Sequence, residues 1–309
     1  MTYSILLRDA ETGDLGVAVQ SHFFAVGRFV PWAAAGIGVA VTQSVVEPAY
    51  GRDGLQLLDD GVSPGEALAA LRDRDPGHET RQVAIMDATG QVAAFTGAKC
   101  IPCAGHVAEQ GVSVQANLVE SEQVWLAMSE AARQPGSLAR RLLLALRAAE
   151  AAGGDIRGRQ SAALLVVRGT ASGRMTDDMI VDLRVDDAPD PLAELERLLV
   201  HHEAFGGFLA LLETEGLFAG PFTAAPEVVE AAVSALTRAE RALGRENVEP
   251  TVWRGLLHAR AGDDEQAREA FAAAGSVEPR TPEFVRRLGA AGMWPDDPNA
   301  LAALLGPIT

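Results

Sequence analysis

Short strand-like runs and pairs of helical segments follow one another over the first 185 residues, and this order limits the folds open to the chain. Apolar and β-branched runs predict strands over residues 3–7, 15–20, 37–43, 81–87, 91–96, 112–118, 161–168 and 179–185. Helical patterns cover residues 50–59, a segment that starts after residue 63, and residues 121–133 and 137–152. Since the helices occur in pairs between groups of strands, the sequence favours layered α+β packing over strict βαβ alternation.

Several boundaries between these segments have specific signals. Ser63 is followed by Pro64 at the first helical position and by Glu66 three residues after the cap, which is the pattern of a capping box. Two glycines at 153–154 end the helix predicted over 137–152. Residues 11–14 have the composition of a hairpin turn between the first two strands.

The composition changes after Asp187. A long helical stretch covers residues 190–213, glycine and proline mark a linker over 216–221, and residues 226–305 contain only helical patterns. The sequence therefore predicts a mixed domain over 1–190, a helix and linker over 191–225, and an all-helical accessory domain over 226–309.

Large and small residues in the last segment are spaced as in a helical hairpin. From Trp253 to Pro279, with Phe271 between them, the pattern resembles one tetratricopeptide-type repeat. Such a repeat is a surface for protein partners, so a partner is expected through these helices. Alternatively, Trp253 and Phe271 are buried and simply hold the helices together.

Composition excludes several classes of function. The chain has 26 basic and 42 acidic residues, a net charge of −16, so it repels nucleic-acid backbones and anionic membrane surfaces. Arg8 and Asp9 interrupt the first apolar run, and no stretch approaches the roughly 20 apolar residues of a spanning helix. The sequence thus predicts a cytoplasmic protein that binds neither nucleic acid nor membrane.

Thr2 is the first residue with catalytic potential. Removal of Met1 would expose a hydroxyl nucleophile together with a free α-amine, whose ordinary pKa is about 7.7–8.0. One residue would then supply both nucleophile and base, as in amidohydrolases with an N-terminal threonine. The alternative is that Thr2 is an ordinary first residue of a strand.

A series of short motifs gives Thr2 its context. In chain order they are Thr2-Tyr-Ser-Ile, Arg8-Asp9, Gly16-Val-Ala-Val-Gln-Ser-His22, Thr42-Gln43, Pro48-Ala-Tyr-Gly51, Gln82-Val83, Thr96-Gly97 with Cys100, Gly105-His106, Ser113-Val-Gln-Ala-Asn117 and residues 153–163. Over residues 1–190 these motifs resemble the bacterial and archaeal domain of unknown function 1028, which is sometimes mislabelled as a fimbrial assembly protein. That family is similar to N-terminal-nucleophile (Ntn) hydrolases, and the resemblance implies an α+β fold, a four-layer αββα sandwich, but no particular substrate.

Within that resemblance, amide side chains are candidates for stabilising negative charge. Amide hydrolysis needs donors where charge develops on the carbonyl oxygen, and Asn117 donates without titrating. Asn117 could equally satisfy local backbone at a turn. Gln43 and Gln160, candidates for substrate binding, have the same two interpretations.

Polar residues after two of the predicted segments complete the candidate site. Ser21, the next nucleophile candidate, would bind substrate, and His22 would tune the amine or bind substrate, unless it only caps a strand. Asp155 could balance the terminal ammonium and Arg157 could clamp a substrate carboxylate. A structural Asp155–Arg157 pair that holds the loop is the alternative.

Metal, redox and cofactor chemistry have little support in the sequence. Cys100, Cys103 and His106 offer three ligands but no fourth follows at a suitable spacing, and the segment does not have the pattern of a helix that a redox C-x-x-C needs. Lys99 is the one lysine, which disfavours Schiff-base mechanisms, and no glycine-rich phosphate loop opens a helix. We expect no metal and no cofactor.

Together these features predict an Ntn-type amidohydrolase that cleaves a small, polar C–N bond in a small-molecule substrate. The chain is expected to form a homo-oligomer. The alternative is a non-catalytic protein that binds a metabolite or acts as a scaffold on the same fold, since a fold does not guarantee chemistry.

Overall fold

The computed structural model describes residues 2–291 and 298–305. Contacts divide the chain into two compact units, Met1–Leu199 and Val200–Thr309. The described strands, all in the first unit, are β1 (Thr2–Arg8), β2 (Leu15–Ser21), β3 (Pro31–Ala34), β4 (Gly38–Ser44), β5 (Arg81–Asp87), β6 (Val92–Thr96), β7 (Gly105–Glu109), β8 (Val112–Asn117), β9 (Ser161–Val167) and β10 (Met179–Val185).

Helices occur in both units. They are α1 (Ala49–Asp59), α2 (Pro64–Arg74), α3 (Gln123–Ala131), α4 (Leu138–Ala151), α5 (Met175–Asp178), α6 (Pro191–Leu212), α7 (Pro226–Leu243), α8 (Glu249–Arg260), α9 (Asp264–Val277), α10 (Thr281–Ala290) and α11 (Pro298–Leu305). In the part of the chain that the structure describes, no helix has the length and apolar character needed to cross a bilayer.

The strands form two antiparallel sheets. One has six strands in the order β10-β9-β2-β1-β8-β7, and the other has four in the order β3-β4-β5-β6. The sequence pattern predicts every strand except β3 and β7, which are both edge strands. Edge strands do not need a continuous apolar pattern, and β3 begins with Pro31, which lacks an N–H for the ladder.

Alternating side chains give each sheet two buried faces. One face of the six-stranded sheet packs on α3 and α4 through residues such as Ile5, Val114 and Leu142. The opposite face, which includes Leu6, packs on the four-stranded sheet. The far face of that second sheet, including Ile85, packs on α1 and α2. The predicted mixed α/β architecture with paired helices is therefore confirmed.

Local signals in the sequence hold helices in this arrangement. The Ser63 side chain accepts a hydrogen bond from the Glu66 N–H, and the Glu66 carboxylate accepts one from the Ser63 N–H, which confirms the capping box. Helix α1 lies close to β3 because residue 51 is glycine: a Cβ there would lie 2.1 Å from the Trp32 ring.

The second unit contains only helices in its described residues. Its core includes Trp253, which is 6% exposed and packs edge-on against Phe218 with ring centroids 5.2 Å apart. Phe271 is 4% exposed and lies against Gly255, where a Cβ would approach the Phe271 ring to 2.7 Å. Trp253 and Phe271 thus hold the helices together, as one of the two alternatives predicted.

Candidate functional site

Seven uncharged polar side chains are buried between the two sheets, where β2, β4 and β8 end and β1 begins. We call them the polar cluster: Thr2, Ser4, Ser21, Gln43, Gln82, Gln115 and Asn117. Thr2 is 6% exposed and the other six are fully buried. Antiparallel pairing produces this grouping, because it sets Thr2 opposite Asn117 and Ser4 opposite Gln115.

Thr2 lies at the centre of these contacts. Its hydroxyl donates to Ser21 Oγ at 3.1 Å. Its carbonyl oxygen lies 3.3 Å from Gln43 Nε2 and 3.4 Å from Asn117 Nδ2. The structure therefore brings together four of the predicted site residues. Met1, whose removal the sequence predicts, lies outside the described residues.

Gln82 organises the amides of the polar cluster. Its Nε2 lies 2.9 Å from the Ala116 carbonyl oxygen and 3.1 Å from that of Gly105, so the amide nitrogen must face these acceptors. Its Oε1 then accepts from Gln43 Nε2 at 2.8 Å and from Asn117 Nδ2 at 3.0 Å. The direction of donation through the cluster is fixed by backbone carbonyl groups.

Asn117 keeps one acceptor without a partner. Its Nδ2 donates to Gln82 and reaches Thr2 O, but its fully buried Oδ1 accepts no hydrogen bond from any described residue. Buried polar atoms are normally paired, so this unpaired oxygen needs an explanation.

Asp155 fastens a loop to the end of β2. Its side chain is fully buried and accepts from the His22 N–H at 2.9 Å and from the Arg157 N–H at 2.8 Å. The Arg157 guanidinium also donates to the same carboxylate at 3.2 Å. The structure thus groups Asp155, His22 and Arg157 beside Ser21, with His22 and Arg157 exposed.

Gln160 lies apart from the polar cluster. Its backbone N–H donates to the Ser21 carbonyl at 3.1 Å, while its side chain donates to Asp187 Oδ1 at 3.1 Å. Of the three predicted amides, Gln160 is the one whose side chain forms its hydrogen bond outside the polar cluster.

The backbone is unusual where β4 and β8 leave the polar cluster. Ser44 directly follows Gln43 with φ 70°, and Leu118 directly follows Asn117 with φ 55°. Positive φ is uncommon for residues other than glycine, and such strain tends to concentrate at functional sites. Both residues hold the preceding amide at the end of its strand.

The side chains of Cys100 and His106 each make a hydrogen bond next to Gln82 of the polar cluster. The Cys100 thiol donates to the Arg81 carbonyl at 3.2 Å, and burial raises its pKa. His106 Nδ1 lies 2.8 Å from Thr96 Oγ1, which itself accepts from Gln82, and burial lowers the His106 pKa. Within the described ranges, no three His, Cys, Asp or Glu side chains are arranged to hold a metal ion.

Sequence reasoning missed three members of the polar cluster, Ser4, Gln82 and Gln115. A signal for Ser4 and Gln115 exists, because polar residues recur at every second position of β8 and at the start of β1. A period of two places such residues on one face of a strand. Gln82 gives no such signal, since its partners lie on other strands.

Comparison with known proteins covers the whole polar cluster. A model of a family described as a family of unknown function, DUF1028, matches residues 2–195. The crystal structure of protein SPO2555 from Silicibacter pomeroyi, which also carries the DUF1028 family model, is similar with a TM-score of 0.58 and 35% identity. That similarity covers 64% of this chain and 87% of that chain. No curated protein matches.

Proposed function

The chain belongs to DUF1028, a family of unknown function, and we propose that it is an N-terminal-nucleophile amidohydrolase. Its substrate is a small molecule with a polar amide or related C–N bond. The Thr2 hydroxyl is the nucleophile, and the Thr2 α-amine, freed by removal of Met1, is the base.

The observation that carries this proposal is the environment of the Thr2 hydroxyl. It is buried, bonded to Ser21, and surrounded by side chains that carry no charge. A free α-amine would be the only ionisable group of the polar cluster, with an ordinary pKa of about 7.7–8.0 that suits a general base.

Other members of the site have roles that follow from their contacts. Asn117 Nδ2 makes a 3.0 Å hydrogen bond to Gln82 Oε1 and a longer, 3.4 Å contact with Thr2 O. The N–H of the longer contact is the one that donates to the oxygen of the tetrahedral intermediate. Ser21 and Gln43 contact the substrate beside Thr2. Asp155 balances the charge of the terminal ammonium and fixes His22 and Arg157 at the entrance, where Arg157 binds a substrate carboxylate.

Gln160 contacts the site through its backbone and is placed further from the reacting bond. Its backbone N–H supports Ser21, and its side chain extends toward Asp187. Its proposed contact is therefore with the outer part of the substrate.

The proposal includes the four-layer sandwich of Ntn hydrolases. The packing supports it, because helices cover the outer face of each sheet and the inner faces pack on each other. Thr2 also lies between the two sheets, at the end of β1 that meets Asn117 of β8.

Apolar side chains around the polar cluster support a substrate that extends beyond the reacting bond. Loops next to Ser21, Ser44, Cys100 and Asp155 carry exposed large apolar residues, namely Phe23, Phe24, Val45, Ile101 and Ile156. Contacts with the non-reacting part of a substrate can be used to orient the reacting bond.

The test combines intact mass with matched threonine variants. We expect the mature chain to lack Met1 and to hydrolyse a member of a panel of acyl-amino acids, ureido compounds and lactams. Thr2→Ala should reduce turnover at least about 10³-fold, whereas Thr2→Ser retains a hydroxyl and part of the activity. Thr42→Ala is the control, because Thr42 is also a buried threonine and lies on the face of β4 opposite to Gln43. A retained or acetylated terminus, or full turnover by Thr2→Ala, refutes the mechanism.

One observation favours a second candidate, a non-catalytic metabolite-binding protein on the same fold. The amide N–H groups nearest Thr2 are engaged by Thr2 O and by Gln82, so charge stabilisation requires them to move. Saturable binding of a panel compound without turnover, in a chain that carries a free Thr2, supports this candidate. Turnover that Thr2→Ala abolishes rejects it.

A further inference from the structure

The unpartnered oxygen of Asn117 identifies a position that needs a hydrogen-bond donor. Asn117 is fully buried, and no described residue donates to its Oδ1. An acceptor in this condition costs free energy unless a donor reaches it in the functional form of the protein.

Rotation of the Asn117 amide does not remove this need. With oxygen and nitrogen exchanged, Oδ1 would face two other acceptors, Gln82 Oε1 at 3.0 Å and Thr2 O at 3.4 Å. Gln82 cannot rotate in compensation, because its Nε2 faces the carbonyl groups of Ala116 and Gly105. Gln82 therefore holds Asn117 with its oxygen turned away from the amides.

The backbone of Thr2 lies beside the Asn117 side chain, since Asn117 Nδ2 is 3.4 Å from Thr2 O. The pairing of β1 with β8 sets Thr2 directly opposite Asn117, and both side chains lie on the face between the sheets. As part of a chain, Thr2 has one backbone N–H. As a terminal residue it carries an ammonium group with three donors, or a neutral amine with two.

We infer that Asn117 Oδ1 accepts a hydrogen bond from the terminal amine of Thr2, and that Gln82 is the positioning residue that keeps this oxygen turned toward it. The inference rests on the proposed exposure of Thr2. A hydrogen-bond acceptor beside the ammonium favours the charged form of the amine. When the amine is neutral, the same acceptor binds one N–H and so orients the nitrogen lone pair toward the Thr2 hydroxyl. Gln82 touches neither the amine nor the hydroxyl, so its effect passes through Asn117.

The test measures the protonation of the Thr2 amine directly. The full chain is made with a removable N-terminal fusion whose cleavage leaves Thr2 first, so cellular processing does not affect the result. The α-amine is labelled with an acylating reagent across pH and quantified by mass spectrometry. Lys99, the one lysine and exposed, is an internal reference in the same sample.

Gln82→Leu carries the test. It should lower the midpoint of Thr2 labelling by about one pH unit, on the order of a tenfold change in the ratio of neutral to charged amine. Gln115→Leu is the matched control, since it removes an equally buried amide that donates to Ser4 and has no recorded contact with the Asn117 side chain. Equal midpoints, or equal shifts, in the two variants overturn the inference.

Asn117 variants supply the second measurement. Asn117→Leu should lower the midpoint at least as far as Gln82→Leu, and Asn117→Asp, which keeps the size of the side chain, should raise it. If leucine at either position prevents folding, Asn117→Asp decides, and an unchanged midpoint overturns the inference. Turnover is a separate readout: shifts in labelling without hydrolysis by the Thr2-first chain refute the proposed enzyme and leave this assignment in place.

Discussion

The layer between the two sheets has an apolar half and a polar half built from the same strands. On β1, Leu6 lies in the apolar half, while Ser4 and Thr2 lie in the polar cluster. On β4, Val41 is apolar and Gln43, two residues further along the same face, belongs to the cluster. Burial is complete or nearly so in both halves, so exposure to solvent does not explain the change in chemistry.

This difference indicates that the apolar half is the one that stabilises the fold. Buried apolar side chains contribute through transfer from water and close packing, at about 25 cal/mol per Å². Buried amides and hydroxyls contribute little net free energy, because their hydrogen bonds replace equivalent bonds to water. A protein that keeps several such groups together, with one acceptor unpaired, departs from the pattern that stability alone favours, as functional sites do.

The backbone shows the same contrast. At the apolar end, turns reach positive φ with glycine, at Gly13, Gly36 and Gly90. At the polar cluster, Ser44, the last residue of β4, and Leu118, directly after β8, adopt positive φ without being glycine. Positive φ at Ser44 and Leu118, directly after two amides of the cluster, agrees with the separate role of the cluster.

Leu6→Ala should have the largest effect on stability. Leu6 is fully buried in the apolar half, and truncation leaves a cavity, so the free energy of unfolding should fall by about 2–5 kcal/mol. Denaturant titration of the full chain measures it. Leu144→Ala is the control, because Leu144 is 40% exposed on α4. If both substitutions cost the same, the apolar half does not carry the stability assigned to it.

Asp75→Asn should have an intermediate effect, and one that depends on pH. Hydrogen bonds from Arg81, at 2.8 Å, and from the Gly77 N–H hold the pKa of Asp75 below its ordinary value. A depressed pKa stabilises the fold above the unfolded pKa, about 3.9, and this stability is lost as pH falls through the folded pKa. Asp75→Asn should therefore cost about 1.5–3 kcal/mol at neutral pH.

Asp75→Asn also tests whether acid destabilises the fold through the Asp75–Arg81 pair or through the polar cluster. Acid unfolding curves of Asp75→Asn should be flatter than those of the parent below about pH 5. The side chains of the cluster do not titrate in that range, so acid should act through groups such as Asp75 rather than through the cluster. Curves of equal slope would place the acid sensitivity elsewhere.

Sequence reasoning succeeded where the determining signal is local. The capping box at Ser63 depends on residues three positions apart, and the strand patterns of β4 and β9 depend on neighbours along the chain. Ser21, Gln43 and Asn117 were predictable as candidates because each lies at the end of a patterned strand. Thr2 was predictable because it follows Met1.

The arrangement of the site was not predictable, because it depends on register between strands far apart in the chain. Gln82 lies on the four-stranded sheet and bonds to Asn117 on the six-stranded sheet, and no spacing within either strand indicates that contact. The edge strands β3 and β7 were missed for a related reason, since their order follows from pairing with a neighbour rather than from their own apolar pattern.

Ser113→Ala should have the smallest effect and is the closest test of the boundary between the two halves. Ser113 lies directly opposite Leu6 in the pairing of β1 with β8, and it is equally buried. Its hydroxyl donates to Gln115 Oε1 at 2.8 Å, so alanine removes one neutral hydrogen bond and one oxygen atom. The free energy of unfolding should fall by about 1–3 kcal/mol, less than for Leu6→Ala, because alanine leaves the buried Gln115 Oε1 without this donor but forms almost no cavity. Denaturant titration of both single variants and of the double variant measures the coupling of this pair. A cost for Ser113→Ala equal to that of Leu6→Ala would mean that hydrogen bonds of the polar half stabilise the fold as strongly as apolar packing does.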